Sequence, residues 1–427
     1  MIPLLLIFFL MFFLKSTALF PFVNPAQSTS IALGFILVFA YLAGSNLKRL
    51  SLPQITGFIV AGILCGPHIF NFIGESDVSN LQLLDGLALS LIALTAGGEM
   101  RIDRLKGRLR SIASIVFFQT LFILAGFIFL GLFGRTFLSL YSGQTIAQVI
   151  AFSLLLGTLM TPTSPATTIA VITETRASGK FTDLILSSAV FKDFFVIMLF
   201  AFSLSFSKSL TVSSRALDIE FLVRILAEVG GSVLIGLLIG MGIILFLKYV
   251  NKDVTIFILG VAFFSYQISE NFGFHPLLIC LVAGFYAENF SSQGKRLISA
   301  IEKSSAPVFV IFFAMSGASL DLKALRQTWL LALVCVFLRA LLKFSGTFAG
   351  AGLSGEEKEV RSWGWAGFIS QAGVSLGMAA IVSENFPEWG SEFMALVLAV
   401  IAINQIVGPV FLQKLLVKTK EAGKKET

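Results

Sequence analysis

Charge is scarce in this chain. Asp, Glu, Lys and Arg make up only 13% of its 427 residues, against 56% hydrophobic. A soluble domain of that size needs far more polar surface, so that class is excluded. Cysteine is nearly absent, and Cys65, Cys280 and Cys335 lie in apolar segments at unrelated spacings. They imply neither a disulfide framework nor a metal site. The two histidines, His68 and His275, make no ligand cluster. Strict apolar–polar alternation is missing as well, which excludes a transmembrane barrel. No phosphate loop or hydrolytic triad appears: "GKF" at 179–181 lacks both the Gly-rich cradle before it and the Ser or Thr after it. The chain therefore does not read as an enzyme, and no cofactor is implied. A formal charge of +7 would suit nucleic acid, but the basic residues sit in short loops between apolar runs, where membrane orientation accounts for them. No nucleic-acid partner is expected.

What is abundant is apolar length. Runs of about 17–25 residues, each long enough to span a bilayer, recur from end to end. Candidate helices fall at 2–14, 31–47, 53–70, 79–99, 109–133, 145–174, 183–206, 218–248, 253–270, 273–290, 297–319, 326–350, 360–383 and 392–416. The fold class is an all-α polytopic membrane protein, with 13 core spans after an N-terminal hydrophobic segment. Loops after the even-numbered helices carry most of the Lys and Arg, among them Arg101, Arg104, Lys106, Arg108 and Arg110. The opposite side holds only Arg135, Lys208, Arg215, Lys323 and Arg326. The positive-inside rule then places the C-terminus in the cytoplasm and the start of the second helix outside. The first segment is short and meets Lys15, so it reads either as a cleaved signal-like segment or as an extra span.

With that orientation, the second to seventh helices start outside and the ninth to fourteenth start inside. These are two inverted six-helix repeats, an architecture that binds its cargo where matching helices are broken near the midplane. Both fifth helices look broken. "SLLLGTLMTPTSPATTIAVITE" carries Pro162 and Pro165 within an apolar run, with the hydroxyls of Thr161, Thr163 and Ser164 beside them. "GWAGFISQAGVSLGMAAIV" is interrupted by glycines and polar residues including Gln371, whose amide suits either the site or the capping of freed backbone. Directly after the first break, "VFKDFFVIML" sets Lys192 and Asp193 in an apolar helix. Asp193 lies roughly 15 Å from the cytoplasmic end, close to the bilayer centre. An acid at that depth points to function, here a cation site; the alternative is a structural ion pair with Lys192.

The motifs "SLPQITGFIVAGILCGP", "LIALTAGGEM", "TPTSPATTIAVITETRASGKFTDLILSSAVFKDFFVIMLF", "PVFVIFFAMSGASLDL", "LRALLKFSGTFAGAGL" and "INQIVGPVFLQKLL" occur in the order seen in monovalent cation:proton antiporters. Over residues 31–416 the chain resembles that superfamily, and most closely the branch of potassium-efflux and bacterial Na+/H+ antiporters. The resemblance implies a homodimer, two domains per protomer, and an elevator-like mobile core. It divides the chain into an N-terminal segment (1–30), scaffold helices (31–100 and 251–322), core helices (101–206 and 323–416), a linker helix (207–250) and a cytoplasmic tail (417–427). Asp193 falls on the family's essential carboxylate. Lys343 falls on its charge-compensating basic residue, with Arg339 one turn earlier as the alternative. The chain departs from the pattern at Lys192, where relatives carry Asp, Asn or Gln.

The implied activity is exchange of Na+ or K+ for H+ in a bacterial inner membrane. A deprotonated Asp193 takes the cation and a protonated one does not, with Thr161, Thr163, Ser164 and freed carbonyls completing an oxygen shell. One titrating acid gives one proton per cation, hence electroneutral exchange. Lys192 can hold an acid in a salt bridge or lose its own proton when a cation binds. The rival readings are a channel-like or sensory membrane module whose site Lys192 neutralises, and an organic-solute carrier. Asp85 and Glu228 read as pairing groups outside the core, and Glu99, Glu302 and Lys303 as charges near helix ends. His275 reads as outer-loop filler.

Overall fold

The computed structural model describes residues 2–16, 25–100, 102, 107–135, 144–211, 219–250, 253–291, 294–320, 322–371, 374–386 and 388–423. The elements in order are α1 (Ile2–Ser16), α2 (Pro25–Arg49), α3 (Gln54–Cys65), α4 (Glu75–Asn80), α5 (Gln82–Glu99), α6 (Leu109–Gly134), α7 (Ile146–Met160), α8 (Pro165–Thr175) and α9 (Lys180–Thr211). Then come α10 (Ile219–Tyr249), α11 (Val254–Phe272), α12 (Pro276–Asn289), α13 (Gly294–Ala318), α14 (Leu322–Leu353), α15 (Lys358–Trp363), a 3-10 turn (Gly364–Phe368), α16 (Val374–Asn385) and α17 (Gly390–Lys418). No strand occurs among the described residues. Among the described residues, six stretches are long and apolar enough to cross a membrane, and shorter apolar helices such as Gln54–Cys65 and Pro276–Asn289 accompany them. The candidate at 53–70 is shorter than expected, ending at Cys65, and α4 has no counterpart among the candidates.

The chain divides into two compact units. The first comprises residues 1–101, 169–174 and 232–322. In it α5 lies along α12, and α3 along both α2 and α13. Glycines permit these crossings. A Cβ at Gly97 would overlap the Leu281 carbonyl and one at Gly284 the Leu94 carbonyl; Gly62 and Gly317 stand in the same relation to Ala314 and Ile59. Close backbone approach through small residues is how helices associate when their surroundings are as apolar as they are. Leu91, Leu94, Ile243, Ile258, Ala262 and Cys280 fill the space between the helices. Glu174 accepts the Gln54 N–H at 2.9 Å, capping α3, whose N-cap Pro53 has no side-chain donor or acceptor to offer.

The second unit comprises residues 102–168, 175–231 and 323–427. Helix α7 packs between α6 and α9, and α16 against α17. Its largely aliphatic core holds an aromatic cluster, with Phe152 5.1 Å from both Trp389 and Phe393. Thr145 opens α7 with a capping box, its hydroxyl accepting the Gln148 N–H while Gln148 Oε1 accepts the Thr145 N–H. Along α6, Phe117, Phe129 and Phe133 are exposed while Ser111, Gln119 and Thr120 are buried. That inside-out pattern fits a helix whose outer face meets hydrocarbon. At the chain's end, both Glu421 carboxylate oxygens accept from the first turn of α9, from the Phe181 N–H at 2.9 Å and the Thr182 N–H at 2.7 Å. Gly423 donates to the Thr175 carbonyl at 2.8 Å.

Candidate functional site

Two helix breaks meet inside the second unit. The first runs from Thr161 to Ser164, between α7 and α8. Pro162 and Pro165 have no N–H to continue the ladder, and each disfavours helical geometry in the residue before it. Pro165 takes the first position of α8, where a missing N–H costs nothing. Ser164 is its cap: the hydroxyl accepts the Thr167 N–H at 3.1 Å, and its carbonyl accepts the Thr168 hydroxyl at 2.8 Å.

A helix that stops this abruptly leaves its last four carbonyls without partners. In α7 each finds one. Gly157 accepts the Thr161 hydroxyl at 3.1 Å, and Thr158 accepts the Thr161 N–H at 3.2 Å. Leu159 accepts Gln371 Nε2 at 2.6 Å, and Met160 accepts Arg339 Nε at 2.8 Å. Within the break, Pro162 O takes Arg339 Nη2 at 2.7 Å and Lys343 Nζ at 3.2 Å, and Thr161 O takes Lys343 at 3.3 Å.

The second break follows the 3-10 turn and precedes α16. Its carbonyls draw on the same two side chains: Phe368 O accepts Lys343 Nζ at 2.6 Å and Ile369 O accepts Arg339 Nη1 at 2.6 Å. Ser370 O accepts the Ser164 N–H at 3.1 Å, a direct backbone bond from one break to the other. Arg339 and Lys343 lie one turn apart on α14 and so share a face. Both are fully buried. Their charges sit at the negative ends of α7 and the 3-10 turn, where the helix dipole favours cations.

Lys192 on α9 is also fully buried. Its ammonium donates to Gln119 Oε1 and lies 4.7 Å over the Phe368 ring. Gln119 Nε2 donates to Thr347 Oγ1 at 2.6 Å, and that hydroxyl donates to the Lys343 carbonyl at 2.7 Å. A single directional chain thus links α9 through α6 to α14.

The residues singled out in the sequence fall as follows. Thr161, Thr163, Ser164, Arg339, Lys343 and Gln371 are brought together around the two breaks. Thr163 Oγ1 accepts Lys343 Nζ at 2.9 Å and donates to Phe368 O at 3.3 Å. Gln371 caps α7 and accepts Asn404 Nδ2 at 3.1 Å. Lys192 reaches the second break through the Phe368 ring. Asp193 lies on α9, but its side chain is outside the described residues, as are those of Asp85, Glu99, Glu302, Lys303 and Lys15. The His275 N–H donates to Ser232 Oγ at 3.0 Å at the start of α12. Sequence reasoning missed Gln119, Thr347 and Asn404. Gln119 carried a usable signal, being an amide within the apolar run "IVFFQTLF".

An all-helical chain with several membrane-length apolar helices and two unwound segments meeting in one unit defines a multi-pass membrane protein. The family described as sodium/hydrogen exchanger, transmembrane, matches residues 34–418, and the chain belongs to it. Among curated relatives, the Na(+)/H(+)-K(+) antiporter GerN of Bacillus cereus is 24% identical over 389 residues, 88% of this chain and 94% of the relative. The probable Na(+)/H(+) antiporter GerT of the same organism is 24% identical over 361 residues, 82% and 92% of the two chains. In fold the chain is similar to the sodium proton antiporter MjNhaP1 from Methanocaldococcus jannaschii. The TM-score is 0.66 at 18% identity, covering 92% of this chain and 99% of that one.

Proposed function

We propose that this chain exchanges a monovalent cation, Na+ or K+, for H+ across a bacterial inner membrane, one for one and without net charge movement. Asp193 binds the cation, with oxygens of Thr161, Thr163 and Ser164 contributing to its shell, as hard cations require. Cation and proton exclude one another at this site, and alternating access turns that exclusion into exchange. Residues 101–206 and 323–416 form the moving core, 31–100 and 251–322 the scaffold, and 207–250 the linker helix. The chain has 13 core spans in two inverted repeats, works as a homodimer within membrane lipid, and keeps residues 417–427 in the cytoplasm.

One observation carries this reading: two unwound segments joined backbone to backbone, at Ser164 and Ser370, with Arg339 and Lys343 donating to both. Broken helices of this kind give a transporter an ion site without exposing backbone to hydrocarbon. The names of the relatives support the cargo: GerN is named a Na+/H+-K+ antiporter, and MjNhaP1 a sodium proton antiporter. The test is proton flux in proteoliposomes, reported by a trapped pH dye at clamped membrane potential, against Na+, K+ and Li+ gradients. Wild type moves protons against at least one cation, and Asp193→Asn moves none. Retained exchange in Asp193→Asn overturns the assignment.

A further inference from the structure

Each of the three hydroxyls at the first break already serves the protein. Thr161 donates to the Gly157 carbonyl, Thr163 lies between Lys343 Nζ and Phe368 O, and Ser164 caps α8. Two other buried oxygens nearby do not. Ser370 Oγ and Asn404 Oδ1 have no hydrogen-bond partner among the described residues, and both residues are only 1% exposed. Buried polar atoms in folded chains are nearly always paired, so an unpaired one calls for a ligand. The two belong to one place. The second break packs at Ser370 directly on Gly408 of α17, where an added Cβ would lie 2.7 Å from the Ser370 Cβ. Asn404 is one turn earlier on the same face of α17, and its Nδ2 reaches Gln371, the residue after Ser370. On the other side, the Ser370 carbonyl accepts the Ser164 N–H.

The Asn404 amide has only one orientation. The Leu159 carbonyl can only accept, so Gln371 must give it Nε2 and face Asn404 with its oxygen. Asn404 must answer with Nδ2; turned over, the two amides would set oxygen against oxygen. Its Oδ1 is therefore kept free by the same bonds that hold the end of α7.

We infer that Ser370 and Asn404 supply two oxygens to the transported cation, from the second break and from α17. This rests on the antiporter reading above and extends its ligand set beyond the first break. Hydroxyl and amide oxygens are the donors a dehydrated hard cation takes. Both are neutral, so they add coordination without a second titrating acid, and exchange stays one for one. They also hold an ion less firmly than a second carboxylate would, and a transport site must release what it binds. A cation arriving there gives both oxygens the partner that the protein withholds.

The experiment uses the full chain and two readouts: proton flux in proteoliposomes against a Na+ or K+ gradient, and the melting temperature in detergent as the same cation is titrated. Ser370→Ala removes one oxygen and no side-chain hydrogen bond among the described residues. Asn404→Leu removes the other at similar volume, together with the bond to Gln371. In both variants the cation KM should rise about tenfold, the worth of one contact to a charge, with kcat changed less than about twofold. Cation should stabilise each variant only at about tenfold higher concentration, while Ser370→Ala without cation melts with wild type. A KM within about twofold of wild type in either variant overturns the inference. So does a Ser370→Ala chain that melts early without cation yet keeps its KM, since the two oxygens would then share a structural water. A wild-type chain that moves no protons against any cation overturns the antiporter reading instead. The melting titration still reports in that case whether these oxygens bind the ion, so the two failures are distinguishable.

Discussion

Replacing Arg339 by Met tests whether this side chain holds both breaks. The guanidinium donates to Met160 O at 2.8 Å, Pro162 O at 2.7 Å and Ile369 O at 2.6 Å. Met has similar reach and no donor. Pro162 keeps Lys343, but the Met160 and Ile369 carbonyls lose the partners described for them. Each orphaned buried acceptor costs about 1–3 kcal/mol, so the pair costs about 2–6 kcal/mol. Relief from burying the guanidinium offsets part of this, but breaking a buried charged network by removing one partner is destabilising on balance. We expect a net loss of about 2–4 kcal/mol, a large share of the about 5–15 kcal/mol that keeps a typical protein folded. The assay is heat-induced loss of monodisperse protein in one detergent, comparing wild type with Arg339→Met and Arg339→Lys. Lysine keeps the charge and a donor but not the fork, so it should fall between the other two. An Arg339→Met variant melting with wild type, or a lysine variant no better than methionine, would refute the reasoning.

Three further outcomes follow from the geometry. Glu421→Ala removes both carboxylate contacts to the first turn of α9 and should cost about 1–2 kcal/mol. Hydrogen exchange at the Phe181 and Thr182 amides should rise, with Glu421→Gln in between; unchanged protection there would contradict the cap. Gly317→Val drives a side chain into the Ile59 carbonyl, so α3 and α13 must separate. The yield of monodisperse protein should collapse, whereas a valine at Gly34, which has open space, should be tolerated. Thr347→Val removes the acceptor that orients Gln119 and the donor to the Lys343 carbonyl, for a loss of about 1–3 kcal/mol by thermal melting. A variant as stable as wild type would show that the chain from α6 to α14 is not maintained in the membrane.

Much of this protein was legible in one dimension because the solvent imposes so few solutions. Scarce charge and repeated apolar runs leave helices crossing a bilayer as the available class, since only a helix satisfies its own backbone there. The first break was equally local. Two prolines three residues apart remove two donors, and α7 duly stops at Met160 and α8 resumes at Pro165. The order of the motifs was enough to identify the family.

What the chain could not disclose is which groups meet. Arg339 bonds a carbonyl 179 positions away and another 30 positions away, and no periodicity encodes such a pairing. The family resemblance marked Lys343 as the charge that offsets the broken-helix ends, but not as a donor to four oxygens on two segments. Gln119 and Thr347 look like stray polar residues until α6 and α14 approach at Gly346 and Gly350, where a Cβ would strike the backbone of Gln119 and Ile115. Glu421 lay in a stretch that composition makes a charged tail, yet its carboxylate caps α9. Local sequence decides where a helix must start or stop, because propensity and missing donors act over a turn or two. Satisfying the carbonyls left behind is a three-dimensional problem, solved only when distant helices close around them.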